Sequence, residues 1–165
     1  MIALLLALLL ADASPPATAT EVRLHAVYLS PPGMPSFQPD LEKALADRLK
    51  VDFVEHRSSN FDATALFSPT EVLQDVCRET HLPRVVAANA ITSHPTNAAS
   101  SVLVLSVSVY DCVNNLFISV AQSTTPPVSD ANPALLNTEY RSALKNLLDQ
   151  LSPPVPKAPR TPMPR

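Results

Sequence analysis

Gly33 is the only glycine in this chain of 165 residues, and no other feature narrows its folding options so far. Sites that grip phosphate or strain a nucleophile use bare backbone N–H groups and turns too tight for a side chain, and glycine meets both needs. The G-x-S-x-G elbow of α/β-hydrolases, the phosphate loop and the dinucleotide fingerprint are therefore all excluded. Gly33 lies in "YLSPPGMPSFQPDLEKAL", residues 28–45, between a strand-like run and a helix-like run. Nucleotide-binding proteins place glycines at that junction, but Pro31, Pro32, Pro35 and Pro39 remove four N–H groups around this one. Asp40, read as the N-cap of the following helix, adds a carboxylate that repels an anion. Pro-Pro-Gly is expected to form a stiff type II turn with Gly33 at positive φ. Pro32, Gly33 and Met34 then mark an exposed corner better suited to protein contact than to phosphate.

Periodicity supplies the rest of the fold. "EVRLHAVYL" (21–29) is apolar on both faces, with Leu24, Ala26 and Tyr28 on one and Val27 and Leu29 on the other, as an interior strand requires. "PDLEKALADRLK" (39–50) repeats Leu41, Leu45 and Leu49 at helical spacing, with Lys43 and Asp47 able to pair outside, and runs straight into a strand, "VDFVEH". Ser68-Pro69 with Glu71 has capping-box spacing for a second helix that Pro83 closes. "RVVAANAITSH" (84–94) is a third strand. "SVLVLSVSVYDC" (101–112) and "LFISVAQSTT" (116–125) then form a hairpin. Leu103, Leu105, Val107 and Val109 share its inner face, Leu116, Ile118 and Val120 are expected to face inward as well, and Ser106 and Ser108 suggest a solvated outer side. A last amphipathic helix covers 134–151. The order β-α-β-α-β-β-β-α predicts one α/β domain on the α+β border, with a mixed sheet of about five strands and helices mainly on one face.

The ends have a different character. "MIALLLALLLADA" is an apolar run followed by a small-x-small pattern, repeated at Ala17-Thr18-Ala19, which is the layout of a secretory leader although no Lys or Arg precedes it. The run is too short to span a bilayer, so no transmembrane anchor is expected in the mature chain. Residues 1–19 are read as leader and linker, 20–152 as the domain, and 153–165 as a tail, in an exported protein that is periplasmic or secreted. Export makes a Cys77–Cys112 disulfide a natural expectation, with two half-buried thiols as the alternative. The tail, "SPPVPKAPRTPMPR", places Pro153, Pro156, Pro159 and Pro162 at a three-residue period, with Lys157 and Arg160 between them. That is the repeat of a polyproline II helix, either an extended spacer of roughly 40 Å or a docking strap for an aromatic groove.

Charge and side-chain chemistry exclude more than they assign. Residues 21–152 hold fourteen Asp and Glu against nine Lys and Arg, so the body lacks the basic face that nucleic acid demands. The best chemical pair is Cys77 with His81, four apart on one helix face, where a metal or a thiolate–imidazole couple would fit. His25, His56 and His94 are scattered, no third group is evident, and the plainer reading is a buried Cys and a helix-end His suited to the dipole. His25 alone on a strand reads as structural. Glu71, Asp75 and Glu79 read as a solvated helix face. No catalytic residue, metal or cofactor is expected.

A helix ending "LADRLK" before "VDFVEH", then "ETHLPRVVAANAI" and "SVLVLSVSVYDC", resembles small exported envelope domains. These are the N-terminal domain of TolB and the curli-secretion and penicillin-binding-protein-activator lipoproteins. Glycines usual in that pattern are replaced by Lys50 and by the "VNN" turn. The resemblance implies a non-catalytic envelope module that works by binding envelope proteins or other envelope components, and it assigns no site residue. A small-ligand binder using the strand ends near Gly33, and a Cys/His-centred enzyme or metal protein, are the alternatives.

Overall fold

The computed structural model describes residues 21–34, 37–59, 70–94, 99–129 and 132–151. The leader, the Ser68-Pro69 cap and the proline-rich tail lie outside these. The elements are β1 (Leu24–Ser30), α1 (Gln38–Leu49), β2 (Val51–Ser58), α2 (Thr70–Thr80), β3 (Arg84–Ser93), β4 (Ser100–Asp111), β5 (Leu116–Thr124), β6 (Val128–Ser129) and α3 (Pro133–Gln150). They form the expected single α/β domain. The sheet runs β2-β1-β3-β4-β5, with the short extra strand β6 paired to the start of β4. β1 is parallel to β2 and β3, while β3, β4 and β5 are antiparallel.

This strand order explains where the helices go. The chain crosses from β1 to β2 in one direction and from β2 to β3 in the other. Right-handed crossovers of opposite direction lay their helices on opposite faces. Among the described elements, α1 and α3 share one face and α2 stands alone on the other, which gives two cores. Leu41, Leu45 and Leu49 of α1 and Tyr140, Ala143 and Leu147 of α3 pack with Ala26, Tyr28, Val86, Leu105 and Val107. Leu73, Val76 and Cys77 of α2 pack with Val27, Leu29, Val85, Ala87 and Tyr110. β1 therefore serves both cores, with alternate residues facing each, as its two apolar faces imply. Full burial of one such Leu contributes about 1.5–3 kcal/mol.

Several local expectations are corrected. Asp40 is not the cap of α1; the N-cap is Phe37, without a side-chain cap bond, and Pro39 occupies the first turn. A proline there needs no N–H partner, and the carboxylate of Asp40 simply favours the dipole. Asp47 lies 3.9 Å from Arg23 and does not serve as a partner for Lys43. Arg23 also donates to Asp52 (2.7 Å) and to the carbonyls of Ala46 and Val51, tying the start of the domain to the α1–β2 junction. Ser108 is buried and Tyr110 is covered by the α2 core, so only the Val102–Ser106 half of that face reaches solvent.

Candidate functional site

β5 carries the largest departure from the periodicity reading. Leu116, Ile118 and Val120 are 48%, 40% and 38% exposed, not inward-facing. In the β4–β5 ladder Ser119 opposes Val109, Ala121 opposes Val107 and Ser123 opposes Leu105. These three small residues face the helices on the α1/α3 side, where their size lets α3 approach. The register shifts at Val109/Tyr110 and leaves Ile118 without an opposite residue, a bulge that puts Leu116, opposite Asp111, and Val120, opposite Ser108, on different faces of the sheet. Val120 opposes Ser108, on the α2 side of the sheet, beyond the residues that α2 packs against. The result is an uncharged edge strand with aliphatic side chains in solvent. The opposite edge, β2, also bulges, at Val54, but carries Asp52, Glu55 and Arg57. Charges of that kind guard an edge against pairing, and β5 lacks them. The only warning in the sequence was the alternation of small residues in "SVAQST".

Cys77 and Cys112 are bonded, with Cα atoms 5.5 Å apart. The turn after β4 makes this reach. The Asp111 carboxylate accepts from the N–H groups of Val113 (2.8 Å) and Asn114 (3.0 Å) and from Asn114 Nδ2 (2.9 Å), and Asn115 takes φ 53° to close the turn. Burial pushes the Asp111 carboxyl up, but these hydrogen bonds and the charge of Arg84 outweigh it and hold the group below its ordinary range. The Cys112 N–H donates to the Pro83 carbonyl at 3.1 Å. At the helix side, His81 ends α2 in a left-handed conformation, φ 55°, with its N–H on the Cys77 carbonyl. An open cleft of about 670 Å³ lies over the disulfide, lined by Gln74, Arg78, His81, Leu82, Val113 and Asn115 among others. The bond takes the Cys77 thiol away from any couple with His81. Among the described residues, no three His, Cys, Asp or Glu side chains gather as metal ligands would.

Gly33 has φ 73° and nothing within 4 Å of the position a Cβ would take, the open corner expected of Pro-Pro-Gly. Pro32 and Gly33 are exposed, whereas Met34 turns inward against the larger core and receives the Tyr28 hydroxyl at 4.0 Å. A cleft of about 350 Å³ beside this loop is lined by Ser30, Gln38, His56, Arg57 and Ser58. Two of its polar side chains are engaged elsewhere: Arg57 pairs with Glu55 and Glu79, and His56 Nε2 lies 3.4 Å from Glu42. Asp75 pairs with Arg78 on the outer surface of α2, and His25 is exposed. No described helix is long and apolar enough to cross a membrane.

No family model matches the chain, and no curated protein matches it. Among solved structures, it is similar to the PelC dodecamer from Paraburkholderia phytofirmans, with 16% identity over 85% of this chain and 94% of that chain and a TM-score of 0.44. It is also similar to lipoprotein GNA1162 from Neisseria meningitidis (12% identity, 75% and 99% covered, TM-score 0.39). A third similarity is to a minor lipoprotein from Acinetobacter baumannii (14% identity, 74% and 87% covered, TM-score 0.34). Two of the three are bacterial lipoproteins, and none of the three is the N-terminal domain of TolB. Likenesses this remote fix no function.

Proposed function

We propose that the protein is an exported, non-catalytic module of the cell envelope that acts by binding another envelope protein. The observation that carries this reading is the uncharged β5 edge with Leu116, Ile118 and Val120 in solvent. Exposed apolar side chains gathered on one element mark interaction surfaces more often than isolated ones do. The leader-like N-terminus and the bonded cysteine pair support an oxidising compartment outside the cytoplasm. The tail, with Pro153, Pro156, Lys157, Pro159, Arg160 and Pro162, extends the same role as a spacer or strap, and the Pro32–Gly33 corner offers a second contact point.

The test is crosslinking of the tagged protein in its own cells, run in parallel with a Leu116→Ser/Ile118→Ser/Val120→Ser variant and a deletion of residues 153–165. A specific partner captured by the parent chain and lost with the triple variant supports the reading. Recovery of the same partners by that variant removes the β5 surface from it, and recovery of nothing but the chain itself overturns it. Unchanged capture by the deletion reduces the tail to a spacer.

A further inference from the structure

Among the described residues, the two cores are joined only through the sheet. No residue of α2 belongs to the larger core, which α1, α3 and the strands build without it. α2 is held by Leu73 and Val76 against Val27, Leu29, Val85 and Ala87, by a hydrogen bond from Gln74 Nε2 to the Tyr110 hydroxyl (3.3 Å), by the exposed Glu79–Arg57 pair, and by the disulfide. Of these, only the disulfide is covalent. Its two ends belong to different elements, the last turn of α2 and the turn that leaves β4. A disulfide that merely stiffens a domain is safest sealed in its core. This one lines the open cleft of about 670 Å³, with Cys112 half-buried and Cys77 9% exposed.

We propose that the cleft over Cys77–Cys112 is a thiol–disulfide exchange site that takes a dithiol, and that exchange there releases α2 from the sheet. One thiolate of the dithiol attacks Sγ of Cys112, the more exposed of the two residues, forming a mixed disulfide while the bond to Cys77 Sγ breaks and Cys77 takes up a proton. The second thiol of the dithiol then displaces Cys112, which is protonated in turn. The dithiol leaves as a disulfide, and the protein holds two thiols. Electrons and protons balance without a further reactant. Once the bond is gone, α2 keeps its apolar contact with the sheet, the part-buried Gln74–Tyr110 hydrogen bond and the exposed Glu79–Arg57 pair, whereas the larger core has lost nothing. Opening is therefore local, and it uncovers Val27, Leu29, Val85, Ala87 and Tyr110 as one apolar sheet face. The inference does not depend on the β5 surface.

The test uses the purified oxidised chain, treated with excess dithiothreitol without denaturant and followed by thiol counting and amide hydrogen exchange. The expected result is ready reduction, with exchange across residues 70–81 accelerated by about tenfold or more while α1, α3 and β4 keep their protection. A Cys77→Ser/Cys112→Ser variant should show the same local pattern with no reductant present. Three results would overturn the proposal. The bond could resist dithiothreitol until denaturant is added, exchange in the reduced protein could match the oxidised form everywhere, or protection could fall equally in α1 and α3. If the double variant does not fold, the parent chain under reduction still decides the matter.

Discussion

The side-chain amide of Gln150 stands against the backbone of Gln122 as a residue of a neighbouring strand would. Its Nε2 donates to the Gln122 carbonyl at 2.8 Å, and its Oε1 accepts from the Gln122 N–H at 3.3 Å. The end of α3 thus closes part of the edge that β5 leaves without charge. Gln150→Ala is expected to lower stability by about 1 kcal/mol, the net value of such bonds at a surface, and to increase self-association with concentration. Gln150→Glu should lose similar stability without associating, because its charge guards the edge. Sedimentation velocity across a concentration series checks both, and an alanine variant no more associated than the parent would refute the edge-guard role.

Lys50 closes α1 in the left-handed conformation, φ 54° and ψ 49°, its N–H on the Ala46 carbonyl, and β2 begins at the next residue. A side chain there costs about 1–2 kcal/mol that glycine avoids. The half-exposed Lys50–Glu21 pair at 3.4 Å returns little. Lys50→Gly is expected to stabilise the fold by about 1 kcal/mol, read as a higher urea midpoint at unchanged slope. A lower midpoint would show that the lysine matters more than the backbone.

These positions also show what the chain disclosed in advance. Apolar spacing in Leu41-Leu45-Leu49 and the alternation through Leu103–Val109 name core residues directly, because a buried face must repeat with its element's period. Compartment and the placement of Cys77 and Cys112 make the disulfide an expectation, but no local pattern brings the two sulfurs together. β5 misled the reading because burial on an edge strand depends on what lies across it. Small residues at 119, 121 and 123 take the α3 side and a bulge at Ile118 breaks the alternation below them, and neither leaves a periodic trace. The Gln150–Gln122 clamp joins positions 28 residues apart, a tertiary fact with no local signal. The candidate binding surface was therefore hidden in a strand whose aliphatic residues were expected to face inward.

Acid should loosen the β4–β5 turn before it unfolds the sheet. The Asp111 carboxyl is held below its ordinary value in the folded protein, so the unfolded chain takes up the proton first. Its stabilisation is complete above the ordinary carboxylate pKa of about 4 and is lost as the pH falls through the lower folded value. Asp111→Asn should weaken the turn at neutral pH and flatten this acid-side loss. Amide exchange at Val113 and Asn114 provides the readout. If exchange there is insensitive to pH below about 4, once intrinsic rates are removed, the carboxylate does not hold the turn.

Alkali acts on the other core. The Tyr140 ring stacks on Phe37 with centroids 4.3 Å apart, and its hydroxyl donates to the Phe37 carbonyl at 3.3 Å. Burial, with the charge of Asp40 added, pushes its pKa up to about 12. Burial also raises that of Tyr28, with Glu42 and Tyr140 adding to it. Both phenols must lose their protons more readily in the unfolded chain, whose value is about 10. Their stabilisation is whole below that value and drains away as the pH climbs from about 10 toward the folded values. Tyr140→Phe should cost about 1 kcal/mol at neutral pH through the lost hydrogen bond and move the alkaline midpoint upward, since one group driving the transition is gone. Phenolate absorbance and circular dichroism recorded on the same samples decide the point. Complete ionisation of all three tyrosines while the dichroism stays native would mean that these hydroxyls reach water freely, and the account of the larger core around Tyr28 and Tyr140 would fail.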